Sequence, residues 1–265
     1  MVSPLAQIHN GAQLGKNITV DPFAVIEEGV VIGDHSHVMS HAVILRNSKI
    51  GESCRIFPGA VIGAIPQDLK FDGEETFVEI GNNTTIREFV TVNRGTKDKW
   101  KTVVGNECLL MAYCHIAHDC IIRDHAVIAN TVQLAGHVEV GEYAIIGGMA
   151  AAIQFAKIGA HCYIGGRSEI TKDVPPFIKA GRYPLSYVGV NSVGLQRRGF
   201  SLETINNILE VYRNIYTRGL NISQALAAIE NNIPDSKEKV EILQFIKESK
   251  KGILKAAAKG LDDED

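Results

Sequence analysis

The chain has 265 residues, of which 45% are hydrophobic and 22% charged, a balance typical of a folded globular protein rather than a disordered one. Its formal net charge of -3 argues against a nucleic-acid binder that relies on bulk electrostatic attraction. No run of about 18 apolar residues exists, so no membrane span is predicted. Met1–Gln7 show neither the charged start nor the apolar segment of a secretory signal, so a cytoplasmic location is expected.

Residues of one chemical class recur at every sixth position from Ile8 to Ile170, where 24 of 28 positions are Ile, Leu or Val. This period matches neither a helix nor a simple alternating strand. It fits a short strand followed by a corner, with three repeats closing a triangular coil of 18 residues. Gly15, Gly33 and Gly51 recur at that spacing, as expected if one corner needs a glycine backbone. The sequence therefore predicts a parallel β-helix of hexapeptide repeats.

Two polar segments interrupt the repeat without changing its register. They cover about residues 63–77 and 93–101, and each is predicted to be a loop that projects outward. Loops of repeat proteins often lie on the binding face, which favours a functional role over an inert one. The first insert is the stronger candidate, because Gln67, Asp68 and Lys70 lie close together in it.

The repeats fade at Asp173–Pro176, where two prolines cannot donate to a strand ladder, and an irregular stretch is expected up to about Phe200. Helical spacing then predicts three helices, each beginning after a serine N-cap, the first ending at Gly219: Ser201, Ser223 and Ser236. The β-helix is thus expected over residues 1–190 and a helical domain over 191–265. The acidic tail, Asp262–Asp265, is expected to be disordered.

The five cysteines share one place in the six-residue register: Cys54, Cys108, Cys114, Cys120 and Cys162. Small residues such as Ala24 and Ala126 hold that place in other repeats. Consecutive members lie on different faces of the coil, which suits tetrahedral metal ligation poorly. We predict that the cysteines are small buried hydrophobic residues and not a metal site.

A group of histidines near the middle of the chain is the densest cluster of titratable residues, with His115, His118 and His137 in little more than one coil. A lone histidine such as His125 is most simply a corner residue bonded to backbone or solvent. Three together can include a general base. They also suit a zinc site, and histidines of neighbouring subunits hold the metal in the hexapeptide-repeat carbonic anhydrases. A zinc-dependent hydratase is therefore the main alternative to a metal-independent enzyme.

The coil period adds a geometric argument for one of these histidines. His118, Gly136 and Gln154 are 18 residues apart, so they should stack at one corner, with about 4.8 Å between layers. A base next to the Gly136 N–H is the arrangement that acyl transfer requires, since one group takes a hydroxyl proton and the other holds the oxyanion. Asp119 could orient a histidine, although neighbouring residues of a strand often point to opposite sides.

Several motifs, in this order, resemble the UDP-N-acetylglucosamine 3-O-acyltransferases of lipid A synthesis. They are QDLKF (Gln67–Phe71), HIAHD (His115–Asp119), LAGH (Leu134–His137), IIGGM (Ile145–Met149), DVPP (Asp173–Pro176) and RRGF (Arg197–Phe200). The resemblance covers nearly the whole chain, including the inserts and the helical region. Hexapeptide repeats alone would be much less specific.

The resemblance implies a cytoplasmic homotrimer of left-handed β-helices with active sites between subunits. It implies transfer of a 3-hydroxyacyl chain from acyl carrier protein to the 3-hydroxyl of UDP-N-acetylglucosamine, with no metal or other cofactor. The related glucosamine N-acyltransferase carries an additional N-terminal domain, whereas the repeats here begin at Ile8. An acceptor with a 3-amino group stays open as well.

The resemblance also implies roles for individual residues. His118 matches the family's general base and Gly136 its oxyanion amide. The residues that match the surroundings of the acceptor sugar and the acyl group are Asp68, with its neighbours Gln67 and Lys70, His115, His137 and Gln154. Asn191, Arg197 and Arg198 match the nucleotide-binding end, where guanidinium groups suit phosphate oxygens. The two arginines fit a solvated basic helix start equally well.

Three positions bear on specificity. Ile153 stands where well-known members carry a histidine, and Val193 where some carry an acidic residue, so acceptor contacts should differ. Gly166 aligns with the side chain that limits acyl length in the family, although it could equally be an ordinary corner glycine. Because glycine leaves space, we expect an acyl chain of about 14 carbons or more.

Overall fold

The structure, a computed structural model, describes residues 1–257 and is a left-handed parallel β-helix with helices at its C-terminal end. The chain winds through three sheets in turn. The first sheet contains β1 (Gln7–Ile8), β4 (Val25–Ile26), β7 (Val43–Ile44), β10 (Val61–Ala64), β13 (Thr91–Asn93), β16 (His115–Ile116), β19 (Gln133–Leu134), β22 (Ala151–Ala152) and β25 (Glu169–Ile170). The second contains β2 (Gln13–Leu14), β5 (Val31–Ile32), β8 (Ser48–Ile50), β11 (Phe77–Ile80), β14 (Lys101–Val104), β17 (Ile121–Ile122), β20 (Glu139–Val140) and β23 (Lys157–Ile158). The third contains β3 (Thr19–Val20), β6 (His37–Val38), β9 (Arg55–Ile56), β12 (Thr85–Ile86), β15 (Leu109–Leu110), β18 (Val127–Ile128), β21 (Ile145–Ile146), β24 (Tyr163–Ile164), β26 (Ile178–Gly181) and β27 (Ser186–Val190).

The core of the prism is formed by the sixth-position aliphatic residues, which point inward from all three sheets. Ile44, Ile62 and Ile116, for example, are completely buried. The cysteines lie in the layer of small residues beside them, and all five are buried and free, as predicted. Burial raises the pKa of the Cys108 thiol to about 11 and that of the Cys162 thiol to about 12, as expected for inert packing residues.

The glycines spaced by 18 residues lie where successive coils nearly touch. A Cβ on Gly15 would lie 2.7 Å from the Asp34 nitrogen, and one on Gly33 would lie 2.7 Å from the Glu52 nitrogen. Close approach of the backbone, and not a left-handed conformation, is therefore why this corner needs glycine. Left-handed φ angles belong instead to the second turn residue of each corner, as at Phe23 (64°), at a cost of roughly 1–2 kcal/mol per residue.

Both inserts leave the prism at the same edge, where the chain turns from the first sheet to the second; we call this edge the insert corner. The first insert (65–76) connects β10 to β11, and the second insert (94–100) connects β13 to β14. The beginnings of the two inserts are joined, because the Asn93 side chain donates to the Ile65 carbonyl (2.8 Å) and the Arg94 N–H to the Ala64 carbonyl (2.9 Å). The inserts are thus stacked neighbours.

The stretch before Phe200 is more regular than expected. It contains the antiparallel hairpin β26–β27, which extends the third sheet, and a short helix α1 (Ser192–Arg197). Two prolines end the repeats but leave the third sheet free to grow by one hairpin.

Three longer helices follow: α2 (Leu202–Tyr216), α3 (Ile222–Asn232) and α4 (Lys237–Glu248). The predicted caps Ser201 and Ser236 are confirmed. The prediction of Ser223 is wrong, because Asn221 caps α3 in a reciprocal capping box with Gln224. The tail at Asp262–Asp265 lies outside the described residues. Within residues 1–257, no helix is long and apolar enough to cross a membrane.

Candidate active site

Five successive coils contribute to the insert corner. The two inserts come first, followed by His118–Asp119, Gly136–His137 and Gln154–Phe155. The register is set by the first sheet, in which His115 pairs with Gln133 and Gln133 with Ala151. The predicted stacking of His118, Gly136 and Gln154 is therefore present.

The imidazole of His118 lies directly over Gly136. A Cβ on Gly136 would lie 2.6 Å from His118 Nε2 and 2.5 Å from Cε1, so only glycine fits under the ring. His118 is 5% exposed. Within residues 1–257, the Gly136 N–H has no hydrogen-bond acceptor in the protein. A histidine nitrogen and an unused backbone donor thus adjoin the same space.

Asp119 holds the other side of the His118 ring. His118 Nδ1 and Asp119 Oδ2 are 2.8 Å apart, and the carboxylate is completely buried. The objection that neighbouring residues diverge does not apply, because the two residues form the turn after β16 and not part of a strand. An ionised carboxylate can only accept, so Nδ1 carries the proton and Nε2 keeps its lone pair toward Gly136.

The carboxylate of Asp119 is ionised in spite of its burial. Burial by itself raises its pKa, but hydrogen bonds from the Thr96 hydroxyl and from His118 outweigh that effect, and the pKa lies below its ordinary value. The Asp119 N–H in turn donates to the Thr102 hydroxyl (2.8 Å). Both the charge and the orientation of the side chain are therefore determined by its neighbours.

Two further neighbours of Asp119, Thr96 and Lys99, belong to the second insert, which was the weaker candidate from the sequence. Thr96 donates to Asp119 through its N–H (3.0 Å) and its hydroxyl (2.6 Å), and the Lys99 N–H adds a third bond (3.3 Å). Lys99 Nζ also forms an ion pair with Glu139 (2.9 Å). The available signal was the register, because this insert leaves the insert corner one coil before His118.

The other two histidines of the cluster have further partners, although His137 Nε2 also lies 3.7 Å from Asp119 Oδ2. His137 stacks on Phe155 with ring centroids 4.4 Å apart, and its Nδ1 lies 3.2 Å from Asp98 Oδ2 without hydrogen-bond geometry. His115 Nδ1 and the Thr91 hydroxyl are 2.8 Å apart. Burial lowers the pKa of both histidines. They are therefore neutral side chains near neutral pH.

The zinc site that the sequence left open would draw on His115, His118 and His137, and the described residues do not bring these three together. Potential ligand atoms of His118, Asp119 and His137 lie within 4.8 Å of one another, but His115 is bonded to Thr91 instead. The Asp119 oxygens already accept four hydrogen bonds, from Thr96, Lys99 and His118. A metal ion at this carboxylate would have to displace these donors.

An apolar groove of about 540 Å³ runs along the outer face of the first sheet and begins beside His115. Ala135 and Ala151 form its floor, and the exposed Ile153 forms part of its wall. Gly166 lies at the opposite edge of this sheet, and a Cβ there would lie 3.0 Å from the Gly148 carbonyl oxygen. An apolar groove of this kind suits an acyl chain.

The predicted residues of the first insert do not line this groove. Gln67 and Lys70 are exposed, and Asp68 accepts a hydrogen bond from the Lys70 N–H (3.0 Å). Within residues 1–257, no hydrogen bond or ion pair connects them to His118. Gln154 is exposed one coil beyond Gly136, at the edge of the site. A single chain therefore brings only part of the predicted site together.

The residues predicted for the nucleotide end lie at α1. Asn191 caps this helix and donates to the His161 carbonyl (2.9 Å). Arg197 is exposed, whereas Arg198 donates to the Tyr143 carbonyl (3.0 Å) and keeps a buried Nη1 without a hydrogen-bond partner in residues 1–257. Burial lowers the pKa of Arg198. The two arginines end a helix, so the alternative of a basic helix start is wrong.

A buried histidine held by a carboxylate, a backbone N–H without an acceptor in residues 1–257 and an apolar groove, all on hexapeptide repeats, are the features of an acyltransferase of the hexapeptide-repeat class. Comparison with known proteins agrees. Residues 5–46, 29–64 and 101–136 match the bacterial transferase hexapeptide model, and residues 173–254 match the model of domain 2 of UDP-N-acetylglucosamine O-acyltransferase.

Individual relatives narrow the class to one family. An acyl-[acyl-carrier-protein]--UDP-N-acetylglucosamine O-acyltransferase of Verminephrobacter eiseniae is 44% identical over 76% of this chain and 79% of its own length. A solved UDP-N-acetylglucosamine acyltransferase from Bacteroides fragilis is 49% identical with a TM-score of 0.95, covering 96% of this chain and 100% of that one. The solved UDP-N-acetylglucosamine O-acyltransferase from Moraxella catarrhalis is 37% identical with a TM-score of 0.93, covering 96% of this chain and 99% of that one. The chain belongs to the UDP-N-acetylglucosamine O-acyltransferase family.

Proposed function

We propose that this protein transfers a 3-hydroxyacyl chain from acyl carrier protein to the 3-hydroxyl of UDP-N-acetylglucosamine, the first step of lipid A synthesis. The placement of His118 Nε2 against Gly136, with Asp119 on Nδ1, carries the proposal. Names of relatives that are 40–44% identical support the substrate pair. The Asp119 carboxylate already accepts four hydrogen bonds, which supports a reaction by side chains alone, without a cofactor.

The reaction follows from the positions of three groups. His118 Nε2 takes the proton of the acceptor hydroxyl while its oxygen attacks the thioester carbonyl carbon. The carbonyl oxygen becomes negative and accepts a hydrogen bond from the Gly136 N–H. The intermediate collapses, the carbon–sulfur bond breaks, and His118 Nε2–H returns its proton to the leaving thiolate. Asp119 stabilises the positive imidazolium between these steps.

We propose that the substrates lie across this framework. The acyl chain occupies the groove over Ala135 and Ala151. Gly166 has no side chain that could block the groove, which supports a chain of about 14 carbons or more. The exposed Arg197 suits the diphosphate, as does Arg198, whose buried Nη1 has no hydrogen-bond partner within residues 1–257. Reverse-phase profiling of products from donors of different length tests the chain length, and a clear preference for ten carbons would contradict it.

A homotrimer would complete the site. The edge where the chain turns from the third sheet to the first carries an exposed apolar stripe, with Phe23, Phe89, Tyr113 and Met149 each more than half exposed. A prism with such an edge is suited to pack around a three-fold axis. Gln67, Asp68 and Lys70 would then reach the site of a neighbouring subunit. A cytoplasmic location is part of the same proposal.

The first experiment is an acyl-transfer assay with 3-hydroxyacyl carrier protein, UDP-N-acetylglucosamine and chelator-treated enzyme, read by mass spectrometry. We expect one 3-hydroxyacyl group added through an ester. Transfer to a 3-amino analogue offered in a parallel assay, with none to UDP-N-acetylglucosamine, would indicate a 3-amino acceptor and an amide product. A product that needs added zinc would contradict the proposed mechanism, and size-exclusion chromatography with light scattering would test the trimer.

A further inference from the structure

Thr96 is a residue of the second insert with an unusual set of bonds. The residue is only 7% exposed, although it belongs to an insert that leaves the prism. Both of its polar donors point to one acceptor group, the N–H to Asp119 Oδ1 (3.0 Å) and the hydroxyl to Asp119 Oδ2 (2.6 Å). Thr96 therefore binds the two carboxylate oxygens at once and determines the plane of the carboxylate.

The direction of the hydroxyl proton follows from a further bond. The Asp98 N–H donates to Thr96 Oγ1 (3.3 Å), so that oxygen is already an acceptor on one side. Its single proton is then directed to Asp119 Oδ2, the same oxygen that lies 2.8 Å from His118 Nδ1. A continuous chain of bonds thus runs from the insert through the carboxylate to the imidazole.

The second insert is held in place by bonds within itself and to the second sheet. The Trp100 N–H donates to the Thr96 carbonyl (2.7 Å), and Lys99 pairs with Glu139 on the second sheet. Gly95 allows the tight path, because a Cβ there would lie 2.4 Å from the Lys101 nitrogen. The position of Thr96 is therefore a property of the insert and not of the repeats.

We propose that Thr96 is a positioning residue for the reaction: it aligns the Asp119 carboxylate so that His118 presents an unprotonated Nε2 above Gly136. The inference rests on the proposed function. Thr96 touches neither substrate nor the reacting atoms, and it acts through Asp119. The second insert, which leaves the preceding coil, thereby supports the pair formed by His118 and Asp119.

The test begins with Thr96→Val, which removes the hydroxyl and preserves the shape of the side chain. We expect kcat to fall about 10- to 100-fold, as for the loss of one hydrogen bond to a charged group. KM for UDP-N-acetylglucosamine should stay within about twofold, because the interaction lost acts on the base and not on binding. Thr96→Ser keeps the donor and should recover most of the rate.

A double-mutant cycle separates positioning from mere stability. In an Asp119→Asn background, Thr96→Val should change kcat less than about twofold, since its route of action is already lost. The same fold-loss in both backgrounds would overturn the proposal. An unchanged kcat in Thr96→Val alone would overturn it as well.

A matched control comes from Thr84, which is buried in another coil. Its hydroxyl donates to the Gly105 carbonyl (2.8 Å) and accepts from the Cys108 N–H (3.1 Å). Thr84→Val should lower the melting temperature about as much as Thr96→Val but leave kcat unchanged. Equal loss of kcat in the two variants would mean that general destabilisation explains the effect.

A spectroscopic reading does not depend on turnover. In wild-type protein labelled with ¹⁵N-histidine, His118 Nδ1–H should give a downfield proton signal, retained in Thr96→Ser and moved or broadened in Thr96→Val. An identical signal in all three proteins would overturn the inference even if Thr96→Val folds poorly enough to lose activity. Absence of acyl transfer by the wild-type enzyme would instead contradict the proposed function.

Discussion

Histidines occupy equivalent turn positions at all three edges of the prism, and the insert corner differs most from the edge between the second and third sheets. At the insert corner, His137 stacks on Phe155. At the edge between the second and third sheets, which we call the aromatic corner, His125 stacks on Tyr143 (4.2 Å), Tyr143 on His161 (5.1 Å) and His161 on Phe177 (5.5 Å). All of these residues have a left-handed φ. Stacked rings are thus how this fold covers its edges.

The difference lies in what surrounds the imidazole. His125 faces Glu107, whose side chain is 56% exposed, at 3.3 Å. His118 lies instead one residue before the left-handed position, against a fully buried carboxylate with bonds from Thr96 and Lys99. Below it is a glycine and not another ring. The comparison teaches that a buried, oriented carboxylate and an open backbone amide distinguish a base from a packing histidine.

The strongest test of this comparison replaces one histidine at each corner. His118→Ala should lower kcat by about 10²–10⁴-fold with an intact fold, because it removes the nitrogen that lies over Gly136. His125→Phe keeps the ring stack and should retain activity. Steady-state kinetics with circular dichroism checks both, and activity in His118→Ala with a normal melting curve would remove the base assignment.

The second test adds a methyl group to the glycine below the imidazole. Gly136→Ala must push the His118 ring away from its place, since the new Cβ would lie 2.6 Å from Nε2. Together with disturbance of the oxyanion donor, this should cost about 10²–10³-fold in kcat. Gly29→Ala at the same corner meets open space, so it is the control and should retain the rate although its φ of 73° costs some stability.

The third test measures how the stability of the protein depends on pH, because a histidine that only packs at the aromatic corner should resist protonation. Burial, with a smaller contribution from Arg198, lowers the pKa of His161 to about 4. The unfolded chain therefore takes up a proton between pH 6.5 and 4 that the folded chain refuses. The free energy of unfolding should fall over that range, by up to about 3 kcal/mol from this residue.

His161→Phe should flatten this acid loss, because phenylalanine fits between Tyr143 and Phe177 and has no proton to bind. Urea unfolding at pH 7 and pH 5 measures the change. His115 and His137 keep their lowered pKa in the variant, so a residual slope of the same sign should remain. An unaltered slope in His161→Phe would show that this corner does not exclude protons.

The smallest effect is expected at α1, beside the aromatic corner. Arg197→Ala should raise KM for UDP-N-acetylglucosamine by about tenfold or less with no change in melting temperature, since its side chain is exposed. Arg198→Ala should raise KM and also lower the melting temperature, because it removes the bond to the Tyr143 carbonyl. Unchanged KM in both variants would argue against phosphate binding at this end.

The periodic part of the fold and the stacking at His118 were predictable because the six-residue period assigns each residue to a definite place in its coil. One buried aliphatic residue every six places sets the coil, and the coil places residues 18 apart on top of one another. Ser201 and Ser236 were readable for a similar reason, since a cap is a local contact with a donor three residues away. Ser223 failed because Asn221 competes for the same helix start.

The sequence by itself determined the β-helix, the buried cysteines and the layer that holds His118, Gly136 and Gln154. Only the tertiary structure decided which side chain supports the base, since Thr96 and Asp119 are 23 residues apart and meet because an irregular insert folds back on the next coil. It likewise showed that Gly15 and Gly33 answer a close approach between coils. Contacts between repeats follow from their regular spacing in the sequence. The path of a loop depends on individual hydrogen bonds and ion pairs, which have no regular spacing.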